Sequence, residues 1–412
     1  MILLYIDPGT GSMLFTVLLG IIGAGIYSLR MLFIKIRFKL TGGKAEVSNK
    51  KIPFVIFSDD KRYWSIFKPI LKELDKKGKK VVYITASPDD PALECEFENV
   101  KAECVESESK LYMRLNFLNA SVVLSTTPGL DVYQWKRSRE VDYYVHIPHM
   151  ANDITLYRMF GLDYYDAIML SGEYQVEEIR KLEELRELPK KELVKVGIPY
   201  MDEMVKRLES AEPLPEHERT VLLAPSWGDS AIFGVYGGKI IESLLKTGYH
   251  VIVRPHPQSF KSEKELMDKL MKEYPDSEQL EWNRDSDNFE VLRRSDILVS
   301  DFSGVVFDFA LVYDKPVIYT DPKFDVGPYD AWWLKEPLWT ISALPRLGRQ
   351  LTEESMQNPK ELIDSCLLDP QYAEGRAAVK AETWEHFGEG AKQATDYLIK
   401  KYNQLRNKKE GE

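Results

Sequence analysis

Short runs of apolar, β-forming residues alternate along most of the chain with longer stretches of helical periodicity, and that alternation restricts the architecture more than any other feature. Residues 51–57 read KIPFVIF, a strand followed by the polar turn Ser58-Asp59-Asp60. Tyr63, Trp64, Phe67, Ile70, Leu71 and Leu74 then recur at helical spacing through Lys77, with a kink expected at Pro69, and KKVVYITA opens a second strand. Together these make a βαβ unit. Further strands are expected in SVVLSTT (121–127), DYYVHIPH (142–149) and YDAIMLSG (165–172), separated by charged helical stretches such as 176–188, and KELVKVGIP (191–199) reads as the close of the sheet. AEPLPEHER (211–219), with two prolines and several charges, reads as a linker. The pattern then resumes with TVLLAPSW (220–227), a helix at 239–247, YHVIVRPHP (249–257), a helix at 262–273, SDILVSDFSG (295–304), a helix through Phe309 and KPVIYTD (315–321). Parallel strands joined by helices form open α/β sheets, which bind ligands at the carboxyl ends of their strands. The expected fold class is α/β, with two Rossmann-like domains at 50–210 and 218–385 facing across a cleft, then a C-terminal helix and solvated charged tail at 386–412. No primary-sequence repeat accompanies this duplication.

The first 45 residues differ in kind. Residues 13–29 carry no charge, and the apolar stretch resumes after Arg30 to Ile34. As a helix it would span about 26 Å, or about 33 Å with Arg30 snorkelling, enough for one membrane crossing. The leader MILLYIDPGTGS lacks the basic segment of a cleaved signal, whereas Arg30, Lys35, Arg37, Lys39 and Lys44 follow the span. The positive-inside rule then places the rest of the chain in the cytoplasm, as a single-pass protein of the cytoplasmic membrane. Gly20, Gly23, Ala24 and Gly25 would let another helix pack closely. The alternative is a buried hairpin, though a soluble core helix rarely stays apolar on every face for this length. The 412 residues hold 55 Lys+Arg against 65 Asp+Glu, a net charge of -10, which argues against a nucleic-acid partner. Cys95, Cys104 and Cys366 lack zinc-type spacing and fit free thiols in a reducing compartment.

Three strand ends carry candidate chemistry. VIVRPHPQ delivers Arg254 and His256 on a loop stiffened by Pro255 and Pro257, a cation and an imidazole suited to an anion. The plain alternative is a structural salt bridge for Arg254 and a loop-filling His256. ILVSDFSGVVFDF ends in Ser300, Asp301, Phe302, Ser303 and Gly304 before an apolar helix whose N-terminus would favour a phosphate. Asp301 or Ser303 would serve equally as an N-cap. YYVHIPHM sets His146 and His149 at a third strand end. Strand periodicity directs His146 toward the core, and His149, after Pro148, has the better position for a general base, with the choice between the two histidines left open. No HExxH, CxxC or convincing DxD pair is present, so no metal or cofactor is expected.

VRPHP (253–257) with SDFSGVVFDF (300–309), preceded by LLAPSW (222–227) and VGIPYMD (196–202), resembles the CDP-glycerol glycerophosphotransferase family that builds teichoic acids and related polymers. The resemblance covers roughly residues 120–340. It implies a GT-B fold, association with the cytoplasmic membrane face, and transfer of glycerol phosphate from CDP-glycerol to a lipid-linked or polymer acceptor with release of CMP. It further implies that Arg254, His256, Asp301 and Ser303 hold the donor pyrophosphate, with Ser226 and Gly304 beside them, and that His149 takes the acceptor's proton. Two positions depart from the family pattern. The first-domain histidine is usually followed by glycine, and here by Met150; the second serine after SD-x-S is Gly304. A GT-B glycosyltransferase or sugar-nucleotide epimerase with another donor is the alternative enzyme, and a silent membrane-anchored scaffold the non-enzymatic one. Trp227, Trp332 and Trp333 would suit stacking on a base or sugar, or ordinary core packing. Gly237-Gly238 after Tyr236 would line the donor phosphates in the way glycine-rich loops do, although a bare glycine pair is a weak signal.

Overall fold

A computed structural model of the chain describes Gly25 and residues 51–285, 287–320 and 325–410. By contacts the chain divides into two units, Met1–Lys51 and Ile52–Glu412. The apolar span expected at 13–34 lies outside the described residues; among those described, no helix is long and apolar enough to cross a membrane.

The unit Ile52–Glu412 holds two all-parallel sheets. The first contains β1 (Ile52–Ser58), β2 (Val81–Thr85), β3 (Val100–Cys104), β4 (Ala120–Ser125), β5 (Val141–His146), β6 (Ala167–Leu170) and β7 (Glu192–Lys195), in the order β3-β2-β1-β4-β5-β6-β7. The second contains β8 (Thr220–Leu223), β9 (His250–Val253), β10 (Leu280–Trp282), β11 (Ile297–Ser300), β12 (Val317–Thr320) and β13 (Gly348–Leu351), in the order β10-β9-β8-β11-β12-β13. In each, the chain starts at a central strand, winds to one edge, then returns and winds to the other. That reversal leaves a crevice at the carboxyl ends of the central strands. β1, β4, β8, β9 and β11 are covered on both faces, which explains their nearly continuous apolar sequence.

The helix Trp64–Lys76 forms around Pro69 without ending there, and buries Phe67, Ile70, Leu71 and Leu74 against the first sheet. After the helix Pro199–Ser210, the linker at 212–219 has no regular structure, as its prolines and charges suggest. The C-terminal helix is present as expected, and its charged end is exposed. The charged C-terminal segment is a helix over Gly390–Glu410 that returns to the first sheet and buries Ala394, Tyr397 and Leu398. Tyr402 packs against Phe54 with ring centroids 5.1 Å apart, and Tyr397 Oη lies 3.4 Å from Tyr143 Oη. The segment therefore ties the chain's end to its first strand.

The carboxyl ends of the two sheets meet. Asn152, after β5, donates from Nδ2 to the Phe302 carbonyl after β11 at 3.5 Å. Asp153 accepts from the backbone N–H groups of Trp339 at 2.7 Å and Thr340 at 2.6 Å, capping the helix Trp339–Leu347 across the junction. Trp339 is sandwiched by Tyr174 from the first half, centroids 3.9 Å apart, and Phe307 from the second at 5.2 Å. Burial, with the nearby Asp153 charge, pushes the Glu178 carboxyl well above its ordinary range, and Glu178 accepts from the Ile154 N–H at 2.8 Å.

Candidate active site

The site is assembled from loops at the carboxyl ends of β1, β4, β5, β8, β9 and β11. His146, the last residue of β5, is fully buried, as strand periodicity implied. Its Nε2 lies 3.1 Å from Tyr157 Oη, and the same hydroxyl lies 3.2 Å from His149 Nδ1. The Tyr63 ring stands 5.2 Å from that of His149.

His149 and His256, expected at opposing strand ends, are brought to one gap. Burial holds each imidazole down to about 4, the Arg62 cation pushes in the same direction on both, and His149 also feels the charge of His256. Both rings are therefore neutral near pH 7. His256 Nδ1 accepts a hydrogen bond from the Gln258 N–H at 3.1 Å, so the neutral ring carries its proton on Nε2 and offers it as a donor.

Arg62 and Asp59 were missed by the reading of the sequence, which treated Ser58-Asp59-Asp60 as a polar turn. The usable signal was their position, charged groups just past the carboxyl end of a buried strand. Arg62 is held by Asp60 at 3.0 Å and leaves about half of its side chain exposed. Asp59 accepts from Thr127 Oγ1 at 2.9 Å, linking the ends of β1 and β4. Solvent reaches Asp59, but the surrounding protein desolvates its carboxyl enough to raise it above the ordinary range despite that bond.

The remaining expected residues take different parts. Arg254 directs its guanidinium to the Asn283 side chain and, at 2.8 Å, to the Asp285 carbonyl, which fastens the β9 loop to the end of β10. Asp301 has no exposed surface. Its carboxylate accepts from the backbone N–H groups of Ser226 at 2.9 Å, Ile232 at 3.1 Å and Ser303 at 3.2 Å. A buried carboxylate filled in this way would repel a pyrophosphate; it orders the loops that carry Ser226 and Ser303. Burial raises it to about 6, against the lowering effect of those N–H donors. Ser303 lies at the crevice with Gly304, and Trp227, beside Ser226, is 43% exposed.

The helix expected through Phe309 also differs. It is α-helical only over Val305–Phe307 and continues as a π-helix over Asp308–Val312. So short an α segment carries little macrodipole, which leaves Arg62 and the two imidazoles as the main groups able to receive negative charge here. Gly304 also explains the pair of departures in the sequence. A Cβ built on Gly304 would lie 3.3 Å from both Cβ and Sδ of Met150 and 3.4 Å from Asn152 Oδ1. Met150 thus fills the space beside Gly304, and the two unusual residues form one contact between the halves.

Two parallel α/β sheets with opposed carboxyl ends define the GT-B fold. The chain belongs to the CDP-Glycerol:Poly(glycerophosphate) glycerophosphotransferase family, whose sequence profile matches residues 38–331. It is 26% identical over 179 residues to the teichoic acid glycerol-phosphate primase of Bacillus spizizenii, a match that takes in 40% of this chain and 42% of that protein. The chain thus spans about two fifths of the curated relative's length. Among solved structures, the wall teichoic acid polymerase TagF soaked with CDPG superimposes with a TM-score of 0.57 at 17% identity, covering 92% of this chain and 98% of the other. The UDP-GlcNAc 2-epimerase of Neisseria meningitidis bound to UDP-GlcNAc gives 0.56 at 15% identity, covering 84% and 99%. At such identities the structural likeness establishes the GT-B fold.

Proposed function

We propose that the protein transfers glycerol phosphate from CDP-glycerol to a hydroxyl of a lipid-linked or polymer acceptor, releasing CMP. The observation that carries this reading is the convergence of His149 and His256, from opposite sheets, on one gap beside Arg62, in a chain of the glycerophosphotransferase family. The acceptor oxygen attacks the phosphorus bearing glycerol, and the bond from that phosphorus to the CMP oxygen breaks. Phosphoryl transfer of this kind proceeds through a loose transition state, so positioning and charge stabilisation contribute most of the catalysis. Arg62 and the imidazole N–H of His256 meet the charge on the non-bridging oxygens and the departing phosphate. Asp59, desolvated and facing the same cluster, accepts the hydroxyl proton as it leaves.

In this reading the second sheet's loops, ordered by Asp301, hold the nucleotide side through Ser226 and Ser303, and the acceptor enters over the first sheet. The apolar segment at 13–34 serves as a single-pass anchor that keeps the cleft at the cytoplasmic membrane face, near a lipid-borne acceptor. The test is CMP release and binding with CDP-glycerol, beside CDP-ribitol, UDP-N-acetylglucosamine and GDP-mannose. Selective use of CDP-glycerol is expected. Preference for a nucleotide-sugar would assign the glycosyltransferase or epimerase alternative, and a folded protein that binds none of them would be the silent scaffold.

A further inference from the structure

We propose that the cavity at the amino ends of β5, β6 and β7 is a second binding site, one that takes a phosphate group through Lys191 and Lys190. It lies at the opposite end of the first sheet from His146 and His149, and it does not depend on the reaction at the gap. Its volume is about 490 Å³, within the range of sites that hold small ligands.

Lys191 lines the cavity and lacks a partner there. It is only 7% exposed, and its backbone is fixed on both sides. The Lys191 N–H donates to Glu183 Oε1 at 2.7 Å, and its carbonyl accepts from Arg180 Nη2 at 3.2 Å. The amine feels the charge of three carboxylates, Asp163, Glu183 and Asp166, yet an arginine already holds each of them. Asp163 pairs with Arg186 and Glu183 with Arg180, while both oxygens of Asp166 accept from Arg137 Nη2, at 3.0 and 3.1 Å. Lys191 Nζ itself makes no hydrogen bond or ion pair among the described residues. Burial accordingly pushes the amine below its ordinary range, against the pull of those carboxylates. Desolvating an ammonium is unfavourable unless a counter-charge is supplied. The surrounding side chains supply none, which leaves that part to a ligand.

The rest of the wall has the same bias. Lys190, exposed and also lining the cavity, likewise has no ion pair among the described residues. Glu192, the remaining carboxylate of the lining, is taken by Lys401 and by the Tyr143 hydroxyl at 2.9 Å. The lining carboxylates are thus neutralised within the wall, and two neighbouring ammonium groups are left over. A phosphate monoester brings about −1.5 to −2 charge at pH 7 and three acceptor oxygens, enough to engage both. A single carboxylate would leave one ammonium unmatched. Tyr143, Tyr164 and Tyr165 also line the cavity and suit the carbon skeleton of a small phosphate ester.

The test is limited acetylation of the full chain in detergent, each lysine being read by mass spectrometry, at constant ionic strength in chloride, acetate, inorganic phosphate or sn-glycerol 3-phosphate. Glycerol 3-phosphate is expected to slow the labelling of Lys190 and Lys191 by about fivefold at a concentration about four times its Kd. Lys206, paired with Glu203 on the surface, should label at its usual rate throughout. Protection by either soluble phosphate supports a free phosphate as the ligand, and protection only by vesicles of phosphatidylglycerol assigns the same chemistry to a lipid headgroup. Equal protection by acetate, or none by any of the phosphates, overturns the proposal. Lys191→Met keeps the stem and removes the charge. In that variant glycerol 3-phosphate should no longer protect Lys190, and the thermal midpoint in chloride should not fall, because an unpaired buried ammonium does not stabilise the fold. Undiminished protection of Lys190, or a midpoint lowered by several degrees, would show Lys191 to be a structural residue and overturn its role. CMP release from CDP-glycerol should be unchanged in Lys191→Met, and a chain that does not turn over CDP-glycerol at all would refute the reaction while leaving the labelling result intact.

Discussion

Replacing Asp301 separates a residue that orders a site from one that binds in it. Its buried carboxylate receives three backbone N–H groups, from Ser226 and Ile232 in the segment after β8 and from Ser303 in the segment after β11. Asp301→Ala leaves these donors unpaired. At about 1–3 kcal/mol for each unmade buried bond, and allowing for water entering the space, the expected loss is about 3–5 kcal/mol. Asp301→Asn keeps one carbonyl oxygen and turns an amide toward at least one donor, so about 1–3 kcal/mol is expected. The pH dependence supplies a second check. The folded carboxyl sits at about 6, above its ordinary value of 3.8, so its contribution to stability is fully present below about pH 4 and is lost as pH rises through 6. A shift of about two units corresponds to at most about 3 kcal/mol, so the deficit of Asp301→Asn should shrink by up to that amount between pH 4 and pH 7. Urea titrations across this range, paired with calorimetric binding of CDP-glycerol, measure both quantities. A variant that keeps its unfolding midpoint yet no longer binds CDP-glycerol would refute the ordering role and return Asp301 to direct contact with the donor.

His256→Ala should lower turnover about 100- to 1,000-fold through the lost donor, read from steady-state CMP release. Because burial holds both His149 and His256 near 4, protonation of either begins only below about pH 5, and the acid limb of kcat/KM should carry no ionisation near 6.5; one appearing there and vanishing in His256→Gln would contradict their burial. Arg62→Ala should raise KM and lower kcat together by tenfold or more while leaving the thermal midpoint nearly unchanged, since its ion pair with Asp60 is half exposed. Asp59→Asn should lower kcat with little change in donor affinity, and full activity in this variant would remove Asp59 as proton acceptor. Deletion of residues 1–45 should move the protein from the membrane fraction to the supernatant, and persistence in the membrane would locate a second attachment surface.

The central strands were readable because burial on both faces demands an unbroken apolar run, as in FVIF of β1, SVVL of β4 and ILV of β11. The strands that were not anticipated are β3, β10 and β13, all at sheet edges. There one side of the ladder is unpaired, and sequences as polar as VKAEC or GRQL suffice. The C-terminal helix was anticipated but its docking was not, because its apolar stripe is thin and it packs on the helix Trp64–Lys76 and on β4, hundreds of residues away in sequence.

The sequence by itself determined the α/β class, the two sheets and their linker, and the strand ends where Arg254, His256, Asp301 and His149 would emerge, because periodicity and strand direction are local properties. It also marked Met150 and Gly304 as unusual. Only the tertiary structure decided that these two touch, that Asp301 is filled by backbone donors, that Arg254 is turned to its neighbouring strand, and that Arg62 and Asp59 join the site. Those outcomes depend on which loops the crossing of the two sheets brings together and on how many donors each buried polar group finds there. Local sequence carries the chemical type of a residue, whereas its protonation, tautomer and partners follow from the three-dimensional surroundings that desolvate it.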